Sequence, residues 1–522
     1  MEKKNDFNGV FLISMGITLA VVLWGLIFPD GFGVFAKNLF SFLVHDFGWG
    51  YMLAMNVFVV FPIWLACSKY GKVKLGPDDS EPEFSNISWF AMLFSAGMGV
   101  GLVFYGVGEP IYHFMSPPTA DPQTAAAAVE AMKKSFFHWG IHPWANYAVI
   151  ALPLAYFQFR KGAPGLISSL FYPLIGEKGV KGPIGNIIDI LAIFATVAGV
   201  ATTLGLGVLQ IDSGLHHVFG TPSTIMVQLA ITIVLALLYT GSAVTGIEKG
   251  IKFIANSNLF IAITLLLMLF IIGPTVTILE SFMTGLGDYL SSLVRESFQM
   301  APYGGQYGKW LDTWTIFYWA WWIAWAPFVG SFIARISKGR TIREFVTGVL
   351  LVPALGSFIW FAVFGTSALH IELAHIGHLA QEVMANISTG VFEMYNFYPL
   401  GGVMSIVMVV LISTFFITSA NSATFVLSMY STRGELNPPK SKMAVWGILQ
   451  AALAFVLLMT GGLKNLQIIS IAAAAPFAVI MILACYSMFK ALKEDEHNKN
   501  TTLGLDGVQA QGTSSISDSN NG

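Results

Sequence analysis

The chain has 522 residues, 55% of them hydrophobic and only 11% charged, with a formal net charge of −2 and a mean hydropathy of +0.68. A soluble domain could not bury that much apolar surface, and repeated runs of roughly 17–25 mainly apolar residues are long enough to cross a hydrocarbon core, so the composition predicts an all-α polytopic membrane protein. The net charge says nothing about nucleic acid, and no nucleic-acid partner is expected; Cys67 and Cys485, both in apolar stretches, have the spacing of neither a metal site nor a disulfide framework.

About twelve spans are expected, starting near Val10, Gly50, Ile87, Ser135, Asn186, Ser223, Lys252, Leu311, Phe345, Val391, Met443 and Leu466. The first, Val10 to Phe28, lacks a small-residue cleavage site behind it and reads as a span rather than a signal peptide. With an even number of crossings both termini share one side. Twenty-one of the 27 Lys and Arg residues then fall on that side, among them Lys69, Arg160, Lys161, Arg335 and Lys490, and only Lys37, Lys133, Lys134, Arg295, Lys309 and Lys464 on the other. The positive-inside rule puts both termini in the cytoplasm of a cell (plasma) membrane protein.

The third span holds Ser95, Ala96, Gly97, Met98, Gly99, Val100 and Gly101, followed by Gly106, Gly108, Glu109 and Pro110. Alternate glycines weaken a helix. They fit either close helix packing through small residues or a discontinuous helix whose N–H groups meet a carboxylate and whose carbonyls meet a cation. No acidic residue lies within the glycine run, which favours a substrate bringing its own negative charge.

The fourth span opens on Ser135 to Tyr147, where Trp139, Trp144 and Tyr147 serve as interfacial anchors or converge as one wall of a site. His138 and His142 lack partners at metal-ligand spacing and read as structural. After the seventh span, Leu279, Phe282, Met283, Leu286, Tyr289, Leu290, Leu293 and Val294 recur at three- and four-residue intervals, an amphipathic helix too polar to span. It lies at the outer interface or packs on its own bundle.

Between Asp312 and Pro327 fall five of the chain's 14 tryptophans, Trp314, Trp319, Trp321, Trp322 and Trp325. Lipid contact needs no such concentration; stacked indoles can hold a desolvated organic cation. By helical phase Trp314 and Trp319 point away from the side of Trp322 and Trp325 and read as packing or gate residues. The tenth span carries Phe415 to Ala423. Its Thr418 and Ser419 hydroxyls bond their own helix or turn two hard oxygens toward an alkali cation. Glu109 and Arg335 stand near helix ends, where snorkelling or pairing accounts for them. There is no nucleotide loop, nucleophile elbow or zinc-protease helix, so nothing points to an enzyme. From Ala491 the chain turns charged and then rich in Ser, Asn and Gly, and residues 491–522 read as a disordered tail.

Trp314, Thr315, Phe317, Tyr318, Trp319, Trp321 and Trp322, with the glycine, aromatic and hydroxyl motifs in the same order, resemble the betaine/choline/carnitine transporter (BCCT) family over essentially the whole chain. The resemblance is to its sodium-coupled glycine betaine carriers. It implies a LeuT-like fold with 5+5 inverted repeats: an N-terminal part with two extra helices over 1–86, a first repeat over 87–274, a connector over 275–310 and a second repeat over 311–490. Trp139, Trp144 and Tyr147 would face Trp322 and Trp325, with Trp321 beside them, around a quaternary ammonium. Gly97, Met98, Gly99 and Gly101 would face the substrate carboxylate. A co-transported sodium ion would sit among the Thr418 and Ser419 hydroxyls and the carbonyls of Ser95, Met98 and Phe415.

A second sodium in such carriers uses two hydroxyls one turn apart on helix 5, where this chain has Thr196 and then Val200. Gly101, where proton-driven choline carriers tend to have an acid, argues for a zwitterion. Ectoine, proline, dimethylsulfoniopropionate, choline and carnitine are the alternatives to glycine betaine. The resemblance also implies a homotrimer, and the short, mixed-charge tail argues against osmotic regulation through a long basic C-terminal helix. A non-transporting osmolyte sensor would call for a long structured cytoplasmic domain, and a channel for a polar pore lining; neither is evident.

Overall fold

A computed structural model describes residues 9–97, 99–246 and 248–514. Among the described residues the regular structure is helical, apart from a single bridge between Lys74 and Thr341. The chain begins with α1 (Gly9–Ile27), α2 (Pro29–Ser41) and α3 (Phe47–Cys67), the last two joined by a π-turn into a continuous apolar run. Two broken pairs follow. α4 (Asn86–Gly97) and α5 (Val100–Met115) meet at 63°, and α6 (Ala125–Trp139) and α7 (Ile141–Ala155) are separated by Gly140.

The short α8 (Tyr172–Val180) leads into α9 (Pro183–Phe219), α10 (Ile225–Thr245), α11 (Glu248–Ile272) and α12 (Thr275–Phe298). Gly220 and Gly246 stop α9 and α10 in the left-handed region (φ 68° and 71°), the usual glycine C-cap. Beyond them lie α13 (Gln306–Thr313), α14 (Thr315–Ile336), α15 (Ile342–Leu373), the short α16 (Leu379–Ala385) and α17 (Gly390–Tyr395), then α18 (Gly401–Tyr430) and α19 (Lys440–Ser514). A capping box between Thr341 and Glu344 starts α15.

Nine described helical runs are long and apolar enough to cross a bilayer, or ten with the bent α4–α5 pair counted as one. The difference from the expected twelve has local causes. The span expected from Ser135 is cut at Gly140 into two helices of 15 residues each. Those expected from Met443 and Leu466 run together as α19, which is broken at Gly462 (φ 59°). The tenth span starts at Gly401 rather than near Val391, because residues 390–395 form the separate α17.

Burial sorts the helices. Within the apolar runs of α9, α13–α14 and α15, 78%, 83% and 72% of residues are buried, whereas α10 and α11 reach 22% each. A helix that is apolar all round yet little buried presents its side chains to lipid. α9, α14 and α15 are the centre of the molecule.

The amphipathic α12 packs along its own bundle. Tyr289 Oη accepts from the Ile141 N–H at 3.0 Å, Asn56 donates to the Ser297 carbonyl at 2.7 Å, and Glu296 pairs with Lys134 and Lys133 at 2.5 and 3.1 Å. The expectation of disorder from Ala491 is corrected: α19 continues through these residues. Asp495 accepts from the Tyr156 hydroxyl at 2.5 Å and pairs with Lys161, and Glu496 pairs with Lys69. Their charge has partners on the turns after α3 and α7, which a polarity pattern does not show; residues 515–522 lie outside the described set.

Glu296→Ala leaves Lys134, whose side chain is 2% exposed, as an uncompensated buried charge. We expect a loss of about 3 kcal/mol, read as a lower melting temperature of the purified protein in detergent, while exposed Glu280→Ala stays within about 0.5 kcal/mol of the parent. Equal melting of the two variants would contradict the packing of α12.

Candidate substrate chamber

On a helix, residues four apart lie one above the other, and α14 places aromatic residues at that spacing twice. Trp314, Tyr318 and Trp322 form one column, with ring centroids 6.2 and 5.6 Å apart and planes within 29° and 24° of parallel. Phe317 and Trp321 form the other, stacked at 5.6 Å, and Trp325 turns edge-on to Trp321 at 6.5 Å. Trp321 and Trp322 stack on each other at 4.7 Å. Asn146 Nδ2 donates to the Trp322 carbonyl at 2.7 Å, and the Trp322 indole donates to the His138 carbonyl at 3.1 Å, next to the break in α6–α7. The column is thereby tied to the opposite wall.

That wall is built across Gly140. Trp139, the last residue of α6, meets Trp322 edge to face at 4.9 Å. From α7, Trp144 and Tyr147 pack at 5.5 Å, and Tyr147 stands 6.4 Å from Trp322. Between the walls runs α5. A Cβ on Gly101 would lie 2.6 Å from Trp321 and 3.4 Å from Trp139, so glycine is required there by close approach.

Of these rings Trp139, Trp144, Tyr147, Trp321, Trp322 and Trp325 line one cavity of about 1190 Å³, with Ser95, Gly99, Gly101, Phe415, Thr418 and Ser419 on its other sides. The structure therefore brings together Trp139, Trp144, Tyr147, Trp321, Trp322 and Trp325 with most of the residues expected around a carboxylate and a sodium ion. Gly97 is the last residue of α4, and Met98 lies outside the described residues. Trp314 and Trp319 are buried elsewhere, Trp314 against His113 and Trp319 stacked on His142. The cavity runs on past Gln158 to Arg335, Asn437 and Lys440. Outside this lining, Tyr105 packs against Trp314, Phe317 and Tyr318 at 5.4–6.5 Å.

The hydroxyl set is partly spent. Thr418 Oγ1 lies 3.0 Å from the Thr414 carbonyl and 3.1 Å from that of Phe415, the usual helical arrangement. Asn258 contributes what sequence reasoning missed: it lines the same cavity, its Nδ2 is 3.4 Å from Thr418 Oγ1, and its Oδ1 is buried without a hydrogen-bond partner. Thr196 bonds back to the Ala192 carbonyl at 2.8 Å, and buried Val200 gives no second hydroxyl beside it.

Glu109 is paired, as one of the two expected readings had it, but inside α5 and not at a helix end. It is fully buried rather than snorkelling at a helix end. Its Oε1 faces His138 Nδ1 at 2.6 Å and His113 Nε2 at 3.3 Å; its Oε2 accepts from the Tyr318 hydroxyl at 2.5 Å and the Trp139 indole at 2.9 Å. His113 Nδ1 accepts from the Trp310 indole at 3.1 Å and His138 Nε2 meets Thr315 Oγ1 at 2.9 Å. The three residues have the separations of a metal triad, yet every imidazole nitrogen is engaged in a hydrogen bond. No sequence pattern announces this cluster, because its members come from α5, α6, α13 and α14.

A many-helix membrane protein with a buried aromatic chamber has the form of a carrier for a small solute. The comparisons agree. Residues 9–497 match the family described as BCCT, betaine/carnitine/choline family transporter. The chain is 48% identical to the glycine betaine transporter OpuD of Bacillus subtilis (strain 168), over 96% of this chain and 97% of that one. It is 47% identical to a probable glycine betaine transporter of Desulfitobacterium hafniense (strain Y51), over 95% and 99%, and 45% identical to an ectoine/hydroxyectoine transporter of Virgibacillus pantothenticus, over 95% and 98%. The chain belongs to the betaine/carnitine/choline transporter family. It is a multi-pass membrane transporter of small osmolytes, not an enzyme.

Gly101→Val drives a branched side chain into the Trp321 ring edge. We expect substrate affinity to fall at least tenfold in an uptake assay with the protein still inserted at parental levels; unchanged affinity would remove Gly101 from the chamber wall.

Proposed function

We propose that the protein imports a zwitterionic quaternary-ammonium compatible solute, glycine betaine in the first place, by sodium symport with alternating access. The observation that carries this reading is the convergence of Trp139, Trp144, Tyr147 and Trp322 on one cavity beside Gly101. Indole and phenol faces attract a cation that has lost its water, at about 0.5–2 kcal/mol per contact. A trimethylammonium group offers them charge without hydrogen-bond donors that would need satisfying. The solute's carboxylate would turn to the N–H groups freed where α4 and α5 part, at the positive end of a helix. The glycine betaine transporters among the relatives support the choice of solute. The ectoine/hydroxyectoine transporter at 45% identity makes a cyclic zwitterion the second reading, since it also pairs a delocalised cation with a carboxylate.

Sodium is the proposed driving ion. Ser95, Phe415, Thr418 and Ser419 line the cavity, and their hydroxyl and carbonyl oxygens would suit a hard alkali cation. The unspent Asn258 oxygen fits the same role. Sodium held between α4–α5 and α18 would favour the arrangement that binds solute, which is how one gradient drives another flux. The cavity reaches Arg335 and Lys440, and Tyr105 and Trp314 pack on each other outside its lining. If, as we propose, both termini and that basic face lie in the cytoplasm, a cavity reaching that face would correspond to an inward-facing state. We also propose assembly as a homotrimer.

Uptake of labelled osmolytes in a transport-deficient strain, with and without sodium, tests the reading. Glycine betaine should be taken up best and only with sodium; uptake indifferent to the sodium gradient would refute symport. Trp322→Leu should raise the half-saturation concentration for glycine betaine by tenfold or more, and a change below twofold would refute the cage.

A further inference from the structure

We propose that Glu109 is a positioning residue of the chamber: its carboxylate, reached through the N–H of Trp139, holds that indole in place and enriches its π face toward a bound cation. The inference rests on the reading of the chamber as a quaternary-ammonium site. An indole nitrogen can only donate, so Trp139 Nε1 gives its proton to Glu109 Oε2 at 2.9 Å, with the Tyr318 hydroxyl as a longer second acceptor at 3.2 Å. Three other chamber indoles are placed differently. Trp322 and Trp325 donate to the backbone carbonyls of His138 and Gly199, and Trp321 Nε1 is buried without a partner. Of these four indoles Trp139 is the one polarised by a side-chain anion.

The donor inventory argues that Glu109 is ionised. Trp310 Nε1 donates to His113 Nδ1, which leaves the His113 proton on Nε2, facing Glu109. Trp139 and Tyr318 donate as well. Three donors therefore converge on the carboxyl group, and with His138 Nδ1–H as the fourth every contact is satisfied. A carboxylate at 0% exposure acts through a medium of low dielectric, where its field is weakly screened. Electron density pushed into an indole by an anionic acceptor strengthens the negative ring face that binds a cation.

A purely structural role and a charge role separate by ligand. Binding to the purified full-length protein is measured for glycine betaine and for 3,3-dimethylbutyrate, its carbon isostere, which keeps the shape and the carboxylate but lacks the positive charge. Glu109→Gln should weaken glycine betaine about tenfold and the isostere less than twofold, and Glu109→Asp should fall between Gln and the parent. In a Trp139→Phe background, Glu109→Gln should add less than a twofold further loss. Parallel losses for both ligands, no loss for either, or a full additional loss without Trp139 would each overturn the proposal. Should the Gln variant not fold, the Asp variant decides by the same comparison. Parental protein that binds no glycine betaine would instead bring down the reading of the chamber, and this inference with it.

Discussion

Large indole rings can lie against a neighbouring helix only where the facing backbone carries no side chain, and the centre of this molecule is arranged around that constraint. α14 meets α5 at Gly101, where Trp321 leaves no room for a Cβ, and meets α9 at Gly199, where a Cβ would lie 2.6 Å from Trp325. In lipid there is little hydrophobic gain in bringing helices together, so close van der Waals contact and hydrogen bonds must do it. The same rings that lock α14 between α5 and α9 form the chamber wall. Packing and binding surface are one structure, and the alternate glycines and clustered tryptophans are two halves of one fit.

The second requirement is that every polar group taken from water find a partner. Breaks in α4–α5 and α6–α7 free backbone groups beside a cavity, where they remain useful. The Trp322 indole uses one of them, the His138 carbonyl. Glu109 meets the requirement beside the aromatic column, joining α5, α6 and α14 through His138, Trp139 and Tyr318. Elsewhere the charged part of α19 is tied to the turns after α3 and α7 by Asp495 and Glu496.

Much of this was legible in the sequence because helical spacing is local. The i, i+4 repeat of Trp314, Tyr318 and Trp322 foretells a stacked column, but phase does not turn Trp314 from the chamber: about three helical turns bring it back to the side of Trp325, and it stays out of the lining because it sits just ahead of α14, against His113. The amphipathic segment between the seventh and eighth spans is α12. What was not legible depends on partners far apart in sequence. Glu109 looked like a helix-end residue because His138 is 29 positions and Tyr318 209 positions away. The C-terminal charges looked unpaired because Tyr156 lies 339 residues before Asp495. Asn258 was overlooked, since a single amide in an apolar helix has no pattern to betray it.

The central claim is that the solute's cation sits among Trp139, Trp144, Tyr147 and Trp322. An experimental structure of the protein with glycine betaine and sodium tests it most directly. The account predicts trimethylammonium density within about 6 Å of those ring centroids, with the carboxylate toward Gly99 and Gly101. Density confined to the Arg335 and Lys440 end of the cavity, with the aromatic chamber filled by water, would contradict it.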